Sequence, residues 1–283
     1  MIIDGKKIAR GIIQELKEKP RPKKFLAAFL VGGDPASISF LKQKEKVAEE
    51  LNVDFRLYKF PAEITQDELR KEILKIVSHQ TCGGAIIQLP LPEHIDRQYV
   101  LNVIPREKDV DVLGERSLGA FYVGRNPVLP PAVGVLESIL RIVNQELRIT
   151  NTVVIGTGSL IGKPISLWLE DKVAELTIFN EHTADLNKKL KEADLIISGV
   201  GRANLFSAED IKENALVIDF GYDMASGKIS GDFNPVIPAR HASQGETGGH
   251  DSSFMIHYTP TPGGTGPILV AKLFENFYKL NNL

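Results

Sequence analysis

The strongest constraint on this chain's fold is a repeated alternation of short apolar runs with amphipathic stretches, the pattern of βαβ units. Phe25–Gly32 reads as a buried strand that ends in a Gly-Gly-Asp-Pro turn, and a helix follows from about Ser37 to Leu51. Val53–Phe60 alternates as a strand, Gln66–Ser78 as a helix, and Gly84–Gln88 is again a strand, halted by the prolines of Leu89-Pro90-Leu91-Pro92. A proline-rich stretch, Gly124–Pro131, reads as a domain boundary before a helix from about Val133 to Glu146. Strands are then expected at Thr152–Ile155, Ala174–Phe179, Asp194–Ser198 and Leu216–Phe220, and a last helix at Pro267–Tyr278. At 283 residues the chain is long for one core, so two α/β domains with mostly parallel sheets are expected.

Charge and composition remove several function classes. A formal charge of −2 gives no footprint for a polyanion, so no nucleic-acid partner is expected. The single cysteine, Cys82, cannot form an intrachain disulfide, which fits a reducing compartment. No apolar run is long enough for a membrane span, and the first residues lack the apolar core of a signal peptide. A cytoplasmic protein with no membrane partner is the expectation. No metal is expected either: His182 stands alone, and Ala239–His257, which carries His241, His250 and His257, reads as a flexible surface segment.

The second half carries a nucleotide signature. Val153-Val154-Ile155 leads into Gly156-Thr157-Gly158-Ser159-Leu160-Ile161-Gly162, where an apolar helix begins. Glycines permit a tight turn and let backbone N–H groups and a helix N-terminus approach a pyrophosphate. The spacing is one residue longer than the usual fingerprint, so its weight comes from the strand before it and the helix after it. Downstream, Phe179-Asn180-Glu181 ends the second strand where a ribose-reading acid would stand. Ser198-Gly199-Val200-Gly201 ends the third with room for a flat ring. A tight turn without a ligand is the plainer alternative.

In the first half one lysine is misplaced. Leu41, Val47, Ala48 and Leu51 form an apolar stripe at helical spacing, with Lys42 and Lys46 pointing away. Lys44 falls inside the stripe, with Phe40 one turn before it on the same side. Such a lysine either snorkels to water or sits desolvated with a lowered pKa, as suits a general base. Gln88 at a strand end, and one of the two carboxylates in Lys108-Asp109-Val110-Asp111, are candidate neighbours, although each alone could be a turn or an ion pair.

Taken together, these residues resemble the methylenetetrahydrofolate dehydrogenase/methenyltetrahydrofolate cyclohydrolase family. The shared segments also include Asp4-Gly5-Lys6, Gly162-Lys163-Pro164, Ala193-Asp194, Gly231-Asp232, Thr259-Pro260 and Pro262-Gly263-Gly264, in the family's order along nearly the whole chain. The resemblance implies an N-terminal αβα catalytic domain, residues 1–124, completed by the C-terminal helix 267–283. Across a cleft it implies a Rossmann-type dinucleotide-binding domain, residues 125–266. It implies oxidation of 5,10-methylenetetrahydrofolate with NAD or NADP, then hydrolysis of the methenyl product to 10-formyltetrahydrofolate. Lys44 takes the place of the catalytic lysine, Gln88 of the glutamine that holds it, and Asp111 of the aspartate that binds the pterin edge. Phe40 and Pro262-Gly263-Gly264 would complete the folate site; Gly156, Thr157, Gly158, Ser159, Gly162, Glu181, Gly199 and Gly201 would hold the dinucleotide. A homodimer is also implied.

The departures from the family pattern matter as well. Phe40 replaces a usual tyrosine, Val112 a glycine after the Asp-Val-Asp run, Phe233 a valine and Thr265 a valine, while Pro131-Ala132 stand in place of cysteine-threonine. Thr157 and Glu181 replace the arginine and serine that hold the 2′-phosphate of NADP, so NAD is favoured. At about 5 Å and an effective dielectric of about 20, each like charge would cost roughly 3 kcal/mol. Against this, Glu181 could turn to solvent while Lys163 screens the phosphate. A single-activity paralogue, or a nucleotide-binding protein without turnover, are the competing readings.

Overall fold

The structure, a computed structural model, describes residues 1–143, 150–224, 227–236 and 255–282. Its contacts divide the chain into two units: Lys7–Gly134 with Ile268–Leu283, and Met1–Lys6 with Val135–Pro267.

The first unit follows α1 (Gly5–Lys17) with β1 (Phe25–Val31), α2 (Pro35–Glu50), β2 (Phe55–Phe60), α3 (Gln66–Val77) and β3 (Cys82–Ile87). The strands form a parallel sheet in the order β2-β1-β3. Every residue of β1 is buried, because alternate side chains enter different cores. Leu26, Ala28 and Leu30 join Ala9, Ile13 and Leu16 of α1 and Leu41 and Ala48 of α2. Phe25, Ala27, Phe29 and Val31 join Leu69, Ile73 and Val77 of α3. This burial on both faces explains why β1 reads as a continuous apolar run. Beyond β3 come α4 (Arg97–Leu101), α5 (Glu115–Tyr122) and α6 (Pro131–Val143).

The second unit contains β4 (Asn151–Ile155), α7 (Gly162–Leu169), β5 (Glu175–Phe179), α8 (Leu186–Leu190), β6 (Leu195–Ser198), β7 (Phe206–Ser207), β8 (Leu216–Asp219), β9 (Phe233–Asn234) and β10 (His257–Tyr258). Five of these strands form a parallel sheet in the order β10-β8-β6-β4-β5. Asp194, just before β6, accepts from both N–H groups at Thr150 and Asn151 and from the Thr150 hydroxyl, and so anchors the start of β4. Burial opposes its ionisation, but Lys212 and these donors hold its carboxyl well below the usual range. The last helix, α9 (Thr265–Asn281), begins in this unit and supplies Val270, Phe274 and Phe277 to the core of the first.

By its contacts the chain divides inside α6, just past the proline-rich Gly124–Pro131 stretch. The proline-rich stretch stays with the first unit because Asn276 on α9 donates to the carbonyls of both Val110 and Leu129, and Val128 is buried. The first six residues group by contact with the second unit: Ile2 bridges to Tyr258 in parallel and the Ile3 N–H donates to the Tyr258 carbonyl at 2.8 Å. His257, expected in a surface loop, is a buried residue of β10 paired with Leu216. The rest of that segment up to residue 254 lies outside the described residues, as does the end expected for the helix to Glu146. Helix α1 and the short strand β10 escaped the pattern reading; β10 is too short to show a period.

Candidate active site

Helix α2 presents the lysine. Asp34 caps its first turn by accepting from the Ser37 N–H at 2.7 Å, and Pro35 occupies the start, where its missing N–H costs nothing. The buried residues of α2 are Ser37, Leu41, Lys44 and Ala48, spaced as one helical face. Lys44 is only 4% exposed, so it is set into the core side and does not snorkel. Burial lowers its pKa, and the neighbouring charge of Asp111 partly restores it. Its Nζ donates to Gln88 Oε1 at 3.0 Å and stands 4.9 Å from the centre of the half-buried Phe40 ring.

Gln88 continues the line of β3, and its N–H donates to the Phe29 carbonyl of β1 at 2.9 Å. Its Nε2 donates to the Leu89 carbonyl at 2.8 Å, which fixes the amide with its oxygen toward Lys44. The Ser37 hydroxyl donates to that same carbonyl at 3.3 Å, tying the start of α2 to the Leu89–Pro92 turn. Ser37 was missed from sequence because its role depends on a carbonyl distant along the chain.

The two carboxylates of the Asp-Val-Asp run separate by environment. Asp109 is 2% exposed and accepts from the N–H groups of Leu113 at 3.0 Å and Gly114 at 2.9 Å, so it folds the loop before α5. Asp111 is half-buried and near Lys44. Burial raises its pKa to about 6, Lys44 pulling it down and Asp109 pushing it up. The fold therefore gathers Phe40, Lys44, Gln88 and Asp111. Val112, which follows, is fully buried at φ 57°, a strained conformation for a β-branched residue.

The second unit holds the glycine turn. Gly156 has φ 99°, and a Cβ on Gly162 would stand 1.8 Å from the Gly156 carbonyl oxygen, so the turn folds back on the start of α7 only with glycine there. Thr157 and Gly158 are exposed and Ser159 half-buried, leaving the turn's outer side open. Gly199 and Gly201 follow β6, the strand beside β4, at the carboxyl edge of the sheet. Glu181 lies beyond the end of β5, its side chain 86% exposed and 3.6 Å from His182. These residues fit a dinucleotide: a glycine cradle that a side chain would fill, at the edge where open α/β sheets bind ligands.

Pro262, Gly263 and Gly264 also belong to the second unit. A Cβ on Gly5 would stand 1.7 Å from the Gly264 carbonyl oxygen, which explains glycine at the start of α1. Two family departures are accommodated there. Thr265 donates its hydroxyl to the Asp219 carbonyl at 2.9 Å, and Phe233 packs against Phe206 and Tyr258 with ring centres 5.2 and 5.6 Å away.

Among the described residues no group of acidic, cysteine and histidine side chains could hold a metal ion, and no helix is long and apolar enough to cross a membrane.

The catalytic-domain model of the tetrahydrofolate dehydrogenase/cyclohydrolase family matches residues 3–111, and its NAD(P)-binding-domain model matches residues 130–282. The bifunctional protein FolD of Bacillus licheniformis is 35% identical over 285 residues, spanning 98% of this chain and 96% of its own. The crystal structure of the bifunctional FolD enzyme of Campylobacter jejuni is similar at a TM-score of 0.87 and 31% identity, covering 100% of this chain and 98% of that one. That of Trypanosoma brucei, complexed with NADP and an inhibitor, gives 0.86 and 27% identity over 100% and 97% of the two chains.

Proposed function

The chain belongs to the tetrahydrofolate dehydrogenase/cyclohydrolase family, and from that premise we propose that it oxidises 5,10-methylenetetrahydrofolate with a nicotinamide dinucleotide and hydrolyses the methenyl product to 10-formyltetrahydrofolate. The observation that carries this is the buried lysine of α2, hydrogen-bonded to Gln88 beside Asp111.

We assign the hydrolytic step to Lys44. One of its N–H bonds is committed to Gln88 Oε1, and in its neutral form the amine has a lone pair for a water proton. As that water attacks the cationic methenyl carbon, its oxygen bonds to carbon and one proton passes to Nζ. The adduct opens when its hydroxyl proton leaves and that oxygen becomes the formyl carbonyl, the bond from carbon to the ring nitrogen breaks, and the nitrogen gains a proton. One water is consumed and one proton released overall. A base whose pKa burial lowers suits this reaction, because the electrophile already carries the positive charge. Gln88 orients the amine. Asp111, when ionised, can accept N–H groups of the pterin edge, and the Phe40 ring offers a stacking face.

The bound dinucleotide would supply the hydride acceptor. We place it against Gly156–Gly162, Gly199 and Gly201, with Glu181 beside its adenosine ribose; a carboxylate there favours NAD through the two ribose hydroxyls. We also read the protein as a homodimer. Among the described residues β5 is an edge strand, with Ile178 43% exposed on it.

Two assays test the function together: methenyltetrahydrofolate hydrolysis without nucleotide, and dinucleotide reduction with methylenetetrahydrofolate. Both should be positive. Hydrolysis alone would reveal a single-activity enzyme, and neither, with dinucleotide still bound, a binding protein.

A further inference from the structure

Beyond the glycine turn, the second unit buries two carboxylates that the reaction itself does not use. Asp219 ends β8 and is 1% exposed; Asp232 precedes β9 and is fully buried. Asp232 receives donors from alternate residues of the segment that leaves β6. Its Oδ2 accepts from the Ser198 hydroxyl at 2.6 Å and the Val200 N–H at 2.8 Å, and its Oδ1 accepts from the Arg202 N–H at 2.7 Å. The intervening residues are Gly199 and Gly201. A segment curled this way around one acceptor is a backbone nest whose anion is the protein's own side chain.

Asp219 holds Asp232 in place. It accepts from the Gly221 N–H at 2.7 Å and from the Phe233 N–H, adjacent to Asp232, at 3.1 Å. Its own N–H donates to Thr259 Oγ1 at 2.8 Å. The packing leaves no slack, since a Cβ on Gly221 would stand 2.3 Å from Asp232 Oδ1 and one on Gly231 2.0 Å from Asp219 Oδ2. On the other side, Gly199 lies against Ile161 of the glycine turn, and its carbonyl oxygen is 3.4 Å from where a Gly156 Cβ would be. The held segment thus forms one wall of the space beside that turn. Burying two carboxylates so near each other is costly: burial, aided by the charge of Asp232, raises the Asp219 pKa to about 6. An apolar pair would stabilise the fold better but could not gather these N–H groups.

We propose that Asp232 is a positioning residue for the dinucleotide: by collecting the Ser198, Val200 and Arg202 donors it shapes the Gly199–Gly201 segment against which the cofactor lies. The proposal rests on the reading of the β4 and β6 ends as the dinucleotide site. Asp232→Asn keeps the volume but turns an NH₂ toward donors on one side, leaving one backbone N–H without its acceptor. Ser198→Ala removes one donor and leaves the two backbone contacts.

The test is dinucleotide affinity, read by quenching of intrinsic fluorescence or by calorimetry, beside nucleotide-free methenyl hydrolysis. Wild type must bind dinucleotide; if it does not, the functional reading fails and not this inference. Asp232→Asn should raise the dissociation constant at least tenfold while hydrolysis stays within twofold, and Ser198→Ala should raise it by a smaller factor. Unchanged affinity in folded Asp232→Asn overturns the proposal. So does a parallel fall of affinity, hydrolysis and melting temperature, which marks a role in stability alone. Should Asp232→Asn fail to fold, Ser198→Ala decides: a weaker dissociation constant with hydrolysis intact supports the proposal, and an unchanged one refutes it.

Discussion

Replacing Lys44 by methionine keeps a long flexible side chain in the core and removes only the amine. In the wild type that amine is 4% exposed and bonded to Gln88 at 3.0 Å. Losing a positioned base costs about 10²- to 10⁴-fold, so methenyl hydrolysis should fall by at least ~10²-fold. Hydride transfer, which needs alignment more than a proton acceptor, should fall less. The fold should survive, because the change leaves Gln88 Oε1 without its partner, about 1–3 kcal/mol, but also removes a desolvated amine. The folded pKa of Lys44 is lowered, so between it and the unfolded value the unfolded chain binds more protons, and wild-type stability rises with pH. The variant lacks that slope, so its melting temperature relative to wild type should decline as pH rises toward 10. The mutation also reaches Asp111, whose pKa of about 6 is held down by Lys44. Folate affinity in the wild type should weaken as pH falls through about 6, and in the variant that midpoint should move upward. Binding titrations at several pH values, with hydrolysis followed by loss of methenyl absorbance, measure all of this. Wild-type hydrolysis by the folded variant would remove Lys44 from the mechanism; an unmoved midpoint would separate Asp111 from it.

Phe40→Ala should weaken folate binding by about 1–3 kcal/mol, the scale of a lost stacking contact, whereas Phe40→Tyr should be tolerated; unchanged affinity in the alanine variant takes the ring out of the site. For the cofactor, the 86% exposure of the Glu181 side chain reduces the expected discrimination. Like charges ~5 Å apart cost roughly 1 kcal/mol in water-like surroundings, so kcat/KM should favour NAD over NADP by about fivefold, and Glu181→Ser with Thr157→Arg should reverse that order. A wild-type preference for NADP would falsify the assignment. Val112→Gly sets two effects against each other. Relief of the left-handed strain is worth about 1–2 kcal/mol, while a buried valine contributes about 1.5–3 and glycine adds about 0.5–1 of chain entropy. Burial prevails, so urea denaturation should show a loss of about 1–2 kcal/mol, and a more stable variant would overturn this accounting.

Local pattern was enough to read the elements that carry the site. The apolar run of β1 and the misplaced lysine of α2 are visible in one dimension, because a strand buried on both faces and a helix stripe each leave a period in the sequence. The glycine turn after β4 is legible for the same reason: backbone that must bend tightly demands a particular residue where it bends. What the tertiary structure alone decided is which polar group meets which. Two aspartates in one short run look alike in sequence, yet Asp109 became a loop anchor and Asp111 the neighbour of Lys44. Asp232 stands in the sequence only as part of the shared Gly231-Asp232 segment, and its partners appear when the loop from β8 carries it back over the end of β6. The boundary inside α6 and the membership of the first six residues likewise depend on contacts with α9 and β10, elements far along the chain. Periodicity records only the face a residue turns to its own element. The role of a buried carboxylate is set by the donors that surround it, and those come from segments whose distance in sequence says nothing of their distance in space.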